Sequence, residues 1–226
     1  MATNLSKWAP EIASNISDIP TPFWRAAIRG AAIEFCLKTW IWQYTFDAMN
    51  VELGVQVYDL TVPADEYGEI ISLDNMKYKQ DGLGDDQYVT LNPTSEIKMD
   101  RDHGGNWRFQ TAPSPSSYFG DNNDKTHFAL WRIPTEASAE GLIVRVNLKP
   151  TATCDTLPDF LFTEHRQDIA FGALAALFNK KGMPWYDPQQ AGVNRAYFMA
   201  ACANAKMAKI TGPTKVPMRV RMREFV

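Results

Sequence analysis

The sequence is short of the residues that usually announce chemistry. Its 226 positions hold three histidines and three cysteines. Cys36, Cys154 and Cys202 are odd in number, far apart and in no CxxC or Cys/His metal spacing, which excludes a disulfide framework and points to reduced, buried thiols. His103, His127 and His165 share no ligand spacing, so no metal or other cofactor is expected, and for His165 a core or interface hydrogen bond outweighs catalysis. G-x-S-x-G, H-E-x-x-H, Walker and G-x-G-x-x-G motifs are missing. Asp121-Asn122-Asn123-Asp124 has the composition of a calcium loop, but Lys125 stands at the fifth ligand position with no glycine after it, which leaves a solvated turn. Asp85 and Asp86 are adjacent, and adjacency alone does not set the carboxylate geometry of a glycosidase. The chain reads as a protein that is not an enzyme.

An excess of one charge and long apolar runs are missing as well. The formal net charge is −3, without the basic footprint of a protein that grips phosphates. The most apolar stretches are residues 26–42, interrupted by Arg29, Glu34 and Lys38, and residues 169–178, too short to span a bilayer. No membrane partner is expected. The opening Met1-Ala2-Thr3-Asn4 lacks a basic n-region and an apolar h-region, so no secretory leader is expected either. What is present is a globular composition, 45% hydrophobic, enough for one sizeable core or two lobes.

Thr21-Pro22 supplies a cap residue and a proline at the first helical position, predicting a helix over residues 22–40. Phe23, Ala27, Gly30, Glu34, Leu37 and Ile41 share one side of it, and Ile28, Phe35 and Trp42 form a second apolar stripe, so the helix is expected to pack on more than one side. Alternation and turn residues then predict strands over residues 44–51, 55–62, 70–78 and 88–91. A polar, glycine-rich loop separates the last two, over residues 79–86. A short helix over residues 92–102 and loops over 112–117 and 120–124 follow. Residues 128–133 and 142–148 read as an antiparallel hairpin. Leu157-Pro158 opens a second long helix to Asn179, stopped by Gly182, and Asp187-Pro188 opens a third to Ile210, stopped by Gly212-Pro213. The expected fold is α+β: a helical bundle of residues 1–43 and 151–212, with an antiparallel β lobe of residues 44–150 inserted in the middle. Aromatics such as Trp24, Trp40, Trp42, Trp107, Trp131 and Trp185 are read mostly as core.

Residues 213–226 stand apart. Lys215, Arg219, Arg221 and Arg223 interleave with Val216, Met218, Val220, Met222 and Phe225. That alternation suits an extended arm that docks on another protein by strand addition or groove insertion, its cations meeting acidic groups.

The order of these features resembles the head-to-tail adaptor family of short-tailed bacteriophages, the tail tubular protein A group. The likeness rests on the aromatic helix ending Trp40-Ile41-Trp42 and on Gly54-Val55-Gln56-Val57-Tyr58-Asp59-Leu60-Thr61-Val62-Pro63. It continues through Ala129-Leu130-Trp131-Arg132-Ile133-Pro134, then Leu157-Pro158 with Ile169-Ala170-Phe171-Gly172-Ala173-Leu174-Ala175, then Asp187-Pro188 with Ala191, Phe198 and Cys202 inward. It implies a virion structural protein of the tail, made in the host cytoplasm, forming a dodecameric ring of identical copies between portal protein and tail nozzle protein. Double-stranded DNA would pass through the ring without specific binding. It further implies that the arm (Lys215, Val216, Met218, Arg219, Val220, Arg221, Met222, Arg223, Phe225) docks on the portal, and that β-lobe loops carrying Asp81, Leu83, Asp85, Asp121 and Asn123 face the nozzle. The alternative readings are another tail component with a receptor- or glycan-binding role and, second, a cell-wall hydrolase carried in the tail.

Overall fold

In a computed structural model of the protein the described residues are 2–64, 68–79, 87–121 and 124–212. The fold is mixed α+β, with helices α1 (Ala9–Ala13), α2 (Thr21–Thr39), α3 (Glu96–His103), α4 (Asp159–Phe178) and α5 (Pro188–Thr211). The chain divides into two compact units, one of residues up to Ile41 and from Lys149, the other Trp42–Leu148.

The first unit is organised around α4. Residues 169–178 carry no charged or hydrogen-bonding side chain, so this segment cannot present a solvent face and must be covered. Ile169, Ala170, Ala173, Leu174 and Leu177 are buried, and α2 and α5 both pack on α4 and touch each other. Each fully buried Leu or Ile there contributes about 1.5–3 kcal/mol. The crossing is close at Gly172, where a Cβ would lie 2.8 Å from the Phe198 ring and 2.9 Å from Ala31 Cβ. Helix α4 starts at Asp159 rather than at Leu157-Pro158, because Thr156–Pro158 is a strand paired antiparallel with Ala2–Asn4. The expected cap at Thr21 is not made: Pro20 holds the N-cap position without a side-chain bond. Trp40 ends α2 in the left-handed region, φ 53°, its N–H donating to the Cys36 carbonyl. Asp187 caps α5 by accepting from the Gln189 and Gln190 amides, both at 3.0 Å. The opening residues, in which no element was predicted, add core: Leu5, Trp8, Ile12 and Ile16 are buried, at the 3-4-4 spacing of one helical face, and Trp8 meets Phe162 edge-on at 4.9 Å.

The second unit holds the larger sheets. In the largest, Ser138–Pro150 lies between Gln43–Thr45 and Gly68–Lys79, Tyr88–Thr90 forms the far edge, and Met49–Val51 also pairs with Ser138–Pro150. Leu142, Val144, Val146 and Leu148 are buried on one face, at period two. On the other, Asp74 accepts from Gln43 Nε2 at 2.9 Å and Arg145 Nε at 2.7 Å, tying three strands. A second sheet runs in the order Val57–Asp59, His127–Trp131, Ser117–Gly120, Asn92–Pro93, and α3, capped by Ser95, contributes Met99 to the cluster with Trp107, Phe119 and Trp131.

Several expectations are corrected. The hairpin of residues 128–133 with 142–148 does not form: His127–Trp131 and Ser138–Pro150 belong to different sheets. Both strands are buried and already have neighbours on either side, which outweighs their closeness in sequence. The lobe is not wholly antiparallel, since Asn92–Pro93 runs parallel to Ser117–Gly120, and Ile133–Pro134 to Thr111–Ala112. The expected strand 44–51 is two short ones, Gln43–Thr45 and Met49–Val51, and 55–62 shortens to Val57–Asp59.

Candidate interaction surface

His165 sits at an irregular turn of α4, φ −126°, with Nδ1 3.0 Å from Asp168 Oδ2 and the Phe35 ring at 4.9 Å. Its Nε2 is buried without a hydrogen-bond partner. His127 lies between Asp59 (3.1 Å) and Asp124 (3.0 Å), one carboxylate on each ring nitrogen, so the two do not converge on one point. Asp124 also accepts from Thr126, and these bonds hold its carboxyl below the usual range. Among the described residues no cluster of His, Cys, Asp and Glu could hold a metal ion. The cysteines are free and buried. Burial pushes the Cys36 thiol up to about 12 and Cys202 to about 11, so neither is a nucleophile at neutral pH.

The distinctive chemistry of the first unit lies on its surface. Helices α2 and α5 run parallel: Ala26, Gly30, Pro188 and Gly192 line one groove of about 720 Å³ floored by Ala175 and Ala176 of α4. Further along, Glu34 meets Arg195 bidentately (2.8 and 2.6 Å), and Lys206 and Lys209 lie over the Trp40 ring at 5.0 and 5.7 Å. The Arg195 hydrogen bonds hold the Glu34 carboxyl below its ordinary value, against the opposing effect of burial. Arg29 donates to the Cys154 carbonyl and to Asp155. These cations are therefore engaged within the unit.

The outward faces of the two helices carry no charge. On α5, Val193, Ala196, Ala200, Ala203, Met207 and Ile210 are exposed at alternating 3-4 spacing, the period of a coiled-coil seam. Val193 is 43% exposed, Met207 46%, Ile210 57%, and neighbouring Tyr197 56%. On α2 the same spacing joins Ala26, Gly30, Ile33, Leu37 and Trp40; Ile33 is half-buried and the others are exposed. A helix face in water is ordinarily polar or charged, and continuous apolar stripes of this kind mark interaction sites. The sequence reading had placed Gly30 and Leu37 on a packed side with Ala27; in the fold Ala27 turns inward while Gly30 and Leu37 face out. The α5 stripe was not singled out, although its signal was available: residues 188–211 contain no acid and only three bases, Arg195, Lys206 and Lys209.

Most sequence-chosen contact residues lie outside the described residues: Asp81, Leu83, Asp85 and Asn123 of the loops, and Lys215, Val216, Met218, Arg219, Val220, Arg221, Met222, Arg223 and Phe225 of the arm. Asp121 is described; it is exposed, directly after the strand Ser117–Gly120. Among the described residues no helix is long and apolar enough to cross a membrane. Neither the family models nor the curated proteins compared with this chain give a match.

Proposed function

We propose that this chain is a structural protein of a phage tail, a ring-forming adaptor between portal and tail nozzle, and not an enzyme. The observation that carries the reading is the exposed, charge-free stripe along α5. A helix about 36 Å long that exposes Val193, Tyr197, Met207 and Ile210 and no charge along this stripe, with Gln189 and Asn204 its polar members, is suited to another protein surface rather than to solvent alone. A ring of identical copies requires a heterologous interface, the same on every copy, and a helical unit with apolar outward stripes meets that need. In this reading α2, α4 and α5 are the bundle of the adaptor, the arm of residues 213–226 docks on the portal, and the loops of residues 79–86 and 120–124 face the nozzle. The net charge of −3 leaves DNA free to slide through the lumen.

The test is binding to the portal ring of the same phage, comparing the full chain with a chain ending at Gly212. Stable, multi-copy complexes of the full chain that are lost on truncation are expected. Failure of both chains to bind would overturn the adaptor reading in favour of a receptor- or glycan-binding tail component, whose signature would be retention on host cell-surface glycan.

A further inference from the structure

We infer that the flank where α5 meets the end of α2 binds the phosphate backbone of nucleic acid, through Lys206 and Lys209 held over Trp40. The net charge of −3 conceals a segregation of sign. Before Pro188, sixteen Lys and Arg stand against twenty-five Asp and Glu, a net of −9; from Pro188 onward, seven stand against one, a net of +6. That one acid is Glu224, so residues 188–223 carry seven cations and no acid. A lysine in the last turn of α5 would complement the dipole of its helix. A run of one sign over so many residues goes well beyond that turn, and is the charge asymmetry of a chain that meets a polyanion.

The fold gathers the described part of this run in one place. Arg195, Lys206 and Lys209 all lie on the flank of α5 that meets α2. The two helices together hold a single acid, Glu34, and it is already taken by Arg195 at 2.8 and 2.6 Å and by Lys38 at 3.6 Å. Neither helix has another carboxylate to offer Lys206 and Lys209. Their ammonium groups lie instead over the Trp40 ring, 5.0 and 5.7 Å from its centroid. The ring fixes their positions without neutralising them, because its attraction for a cation comes from a quadrupole and it has no net charge. Two like charges over one ring repel, and an anion between them relieves that repulsion. The place is open to a ligand: Lys206 is exposed, Lys209 half-buried and Trp40 41% exposed.

The residue type favours phosphate over the carboxylates of a protein surface. Protein interfaces are depleted in lysine and enriched in arginine, whereas a lysine ammonium binds phosphate as a point charge. Contacts of this kind carry no sequence preference and let a duplex slide. They are compatible with DNA passing through an adaptor and do not depend on that reading.

The test is fluorescence anisotropy of a labelled DNA duplex of about 20 base pairs with the full-length protein, over about 50–200 mM salt. Each neutralised phosphate contributes about −0.9 to the slope of log affinity against log salt. Lys206→Gln with Lys209→Gln in one chain is therefore expected to flatten the slope by about 2 and to weaken binding about tenfold or more at the low-salt end, with the helical circular dichroism unchanged. Lys77→Gln with Lys98→Gln removes the same charge from exposed positions of the second unit and is expected to leave the slope unchanged. No binding at the low-salt end, or an equal effect of the two pairs, overturns the site. Tighter binding of polyglutamate than of the duplex at equal charge concentration also overturns it and assigns the flank to an acidic protein surface. Portal binding is read separately, so each of these outcomes leaves the adaptor reading intact.

Discussion

Three glycines of the helical unit form a controlled experiment on its packing. Gly172 lies on α4 where α2 and α5 both press on it, whereas Gly30 on α2 and Gly192 on α5 open onto space. Replacing a helix-interior glycine by alanine removes unfolded-state entropy and stabilises by about 0.8–1 kcal/mol when nothing obstructs the methyl group. Gly30→Ala and Gly192→Ala are expected to gain that amount. At Gly172 the same gain is opposed by overpacking, because the methyl group would stand 2.8 Å from Phe198 and 2.9 Å from Ala31. Both neighbours are buried and have little room to retreat, and such overpacking costs about 1–3 kcal/mol. The net effect of Gly172→Ala is a loss of up to about 2 kcal/mol, and the separation from the other two variants is about 2 kcal/mol. In a chain of this size that corresponds to roughly 4–8 °C in Tm. Thermal and urea melts followed by helical circular dichroism read it directly. A Gly172→Ala protein as stable as Gly30→Ala would refute the close three-helix crossing.

Asp187→Ala removes the carboxylate that accepts from the Gln189 and Gln190 amides and should cost about 1 kcal/mol in urea unfolding, with Asp187→Asn recovering most of it. Glu34 has a folded-state pKa below its ordinary value, chiefly through hydrogen bonds from Arg195; its contribution is present above the ordinary value of 4.5 and is lost as pH falls through the lower folded value. Melts across that acid window should therefore show a smaller decline for Glu34→Gln than for the parent, by no more than about 1 kcal/mol for so exposed a pair. An aromatic disulfide reagent at pH 8 should leave Cys36, Cys154 and Cys202 unmodified in the native protein and label all three after denaturation, since burial raises each thiol's pKa. Rapid native labelling of Cys36 would show that the α2 core opens far more readily than its packing implies.

The helices were legible from local signals. Asp187-Pro188 and Gly212 bracket α5 as a cap and a stop, and both act within a turn of the residue that carries them. Strand partners were not legible. His127–Trp131 reads as half of a hairpin because Ser138–Pro150 follows it closely, yet each strand is completed by segments distant in sequence: Val57–Asp59 for one, Gly68–Lys79 for the other. Burial on both faces leaves His127–Trp131 without an alternation that would choose its partner. The opening residues were missed because Leu5, Trp8, Ile12 and Ile16 are isolated among polar neighbours, and their shared face becomes clear only when the spacing is counted.

The interaction surface shows why hydrophobic periodicity alone under-reads a helix that packs on two sides. On α5 the inward series Ala191, Asn194, Phe198, Cys202 and Ala205 is matched by an outward series, Val193, Ala196, Ala200, Ala203, Met207 and Ile210, that is no less apolar. Their amphipathic signals cancel, and the helix reads as generically apolar. The information that survives is the placement of charge: Arg195, Lys206 and Lys209 all lie on the flank that meets α2, over Glu34 and Trp40. A helix exposed to water along its whole length has no reason to gather its charges on a flank facing another helix of the same unit. One whose outward face meets another protein surface, as in the function proposed above, does, because any ion left in that seam would be desolvated without a partner. Placing a lysine at Ala200 should therefore abolish assembly while leaving the single chain folded.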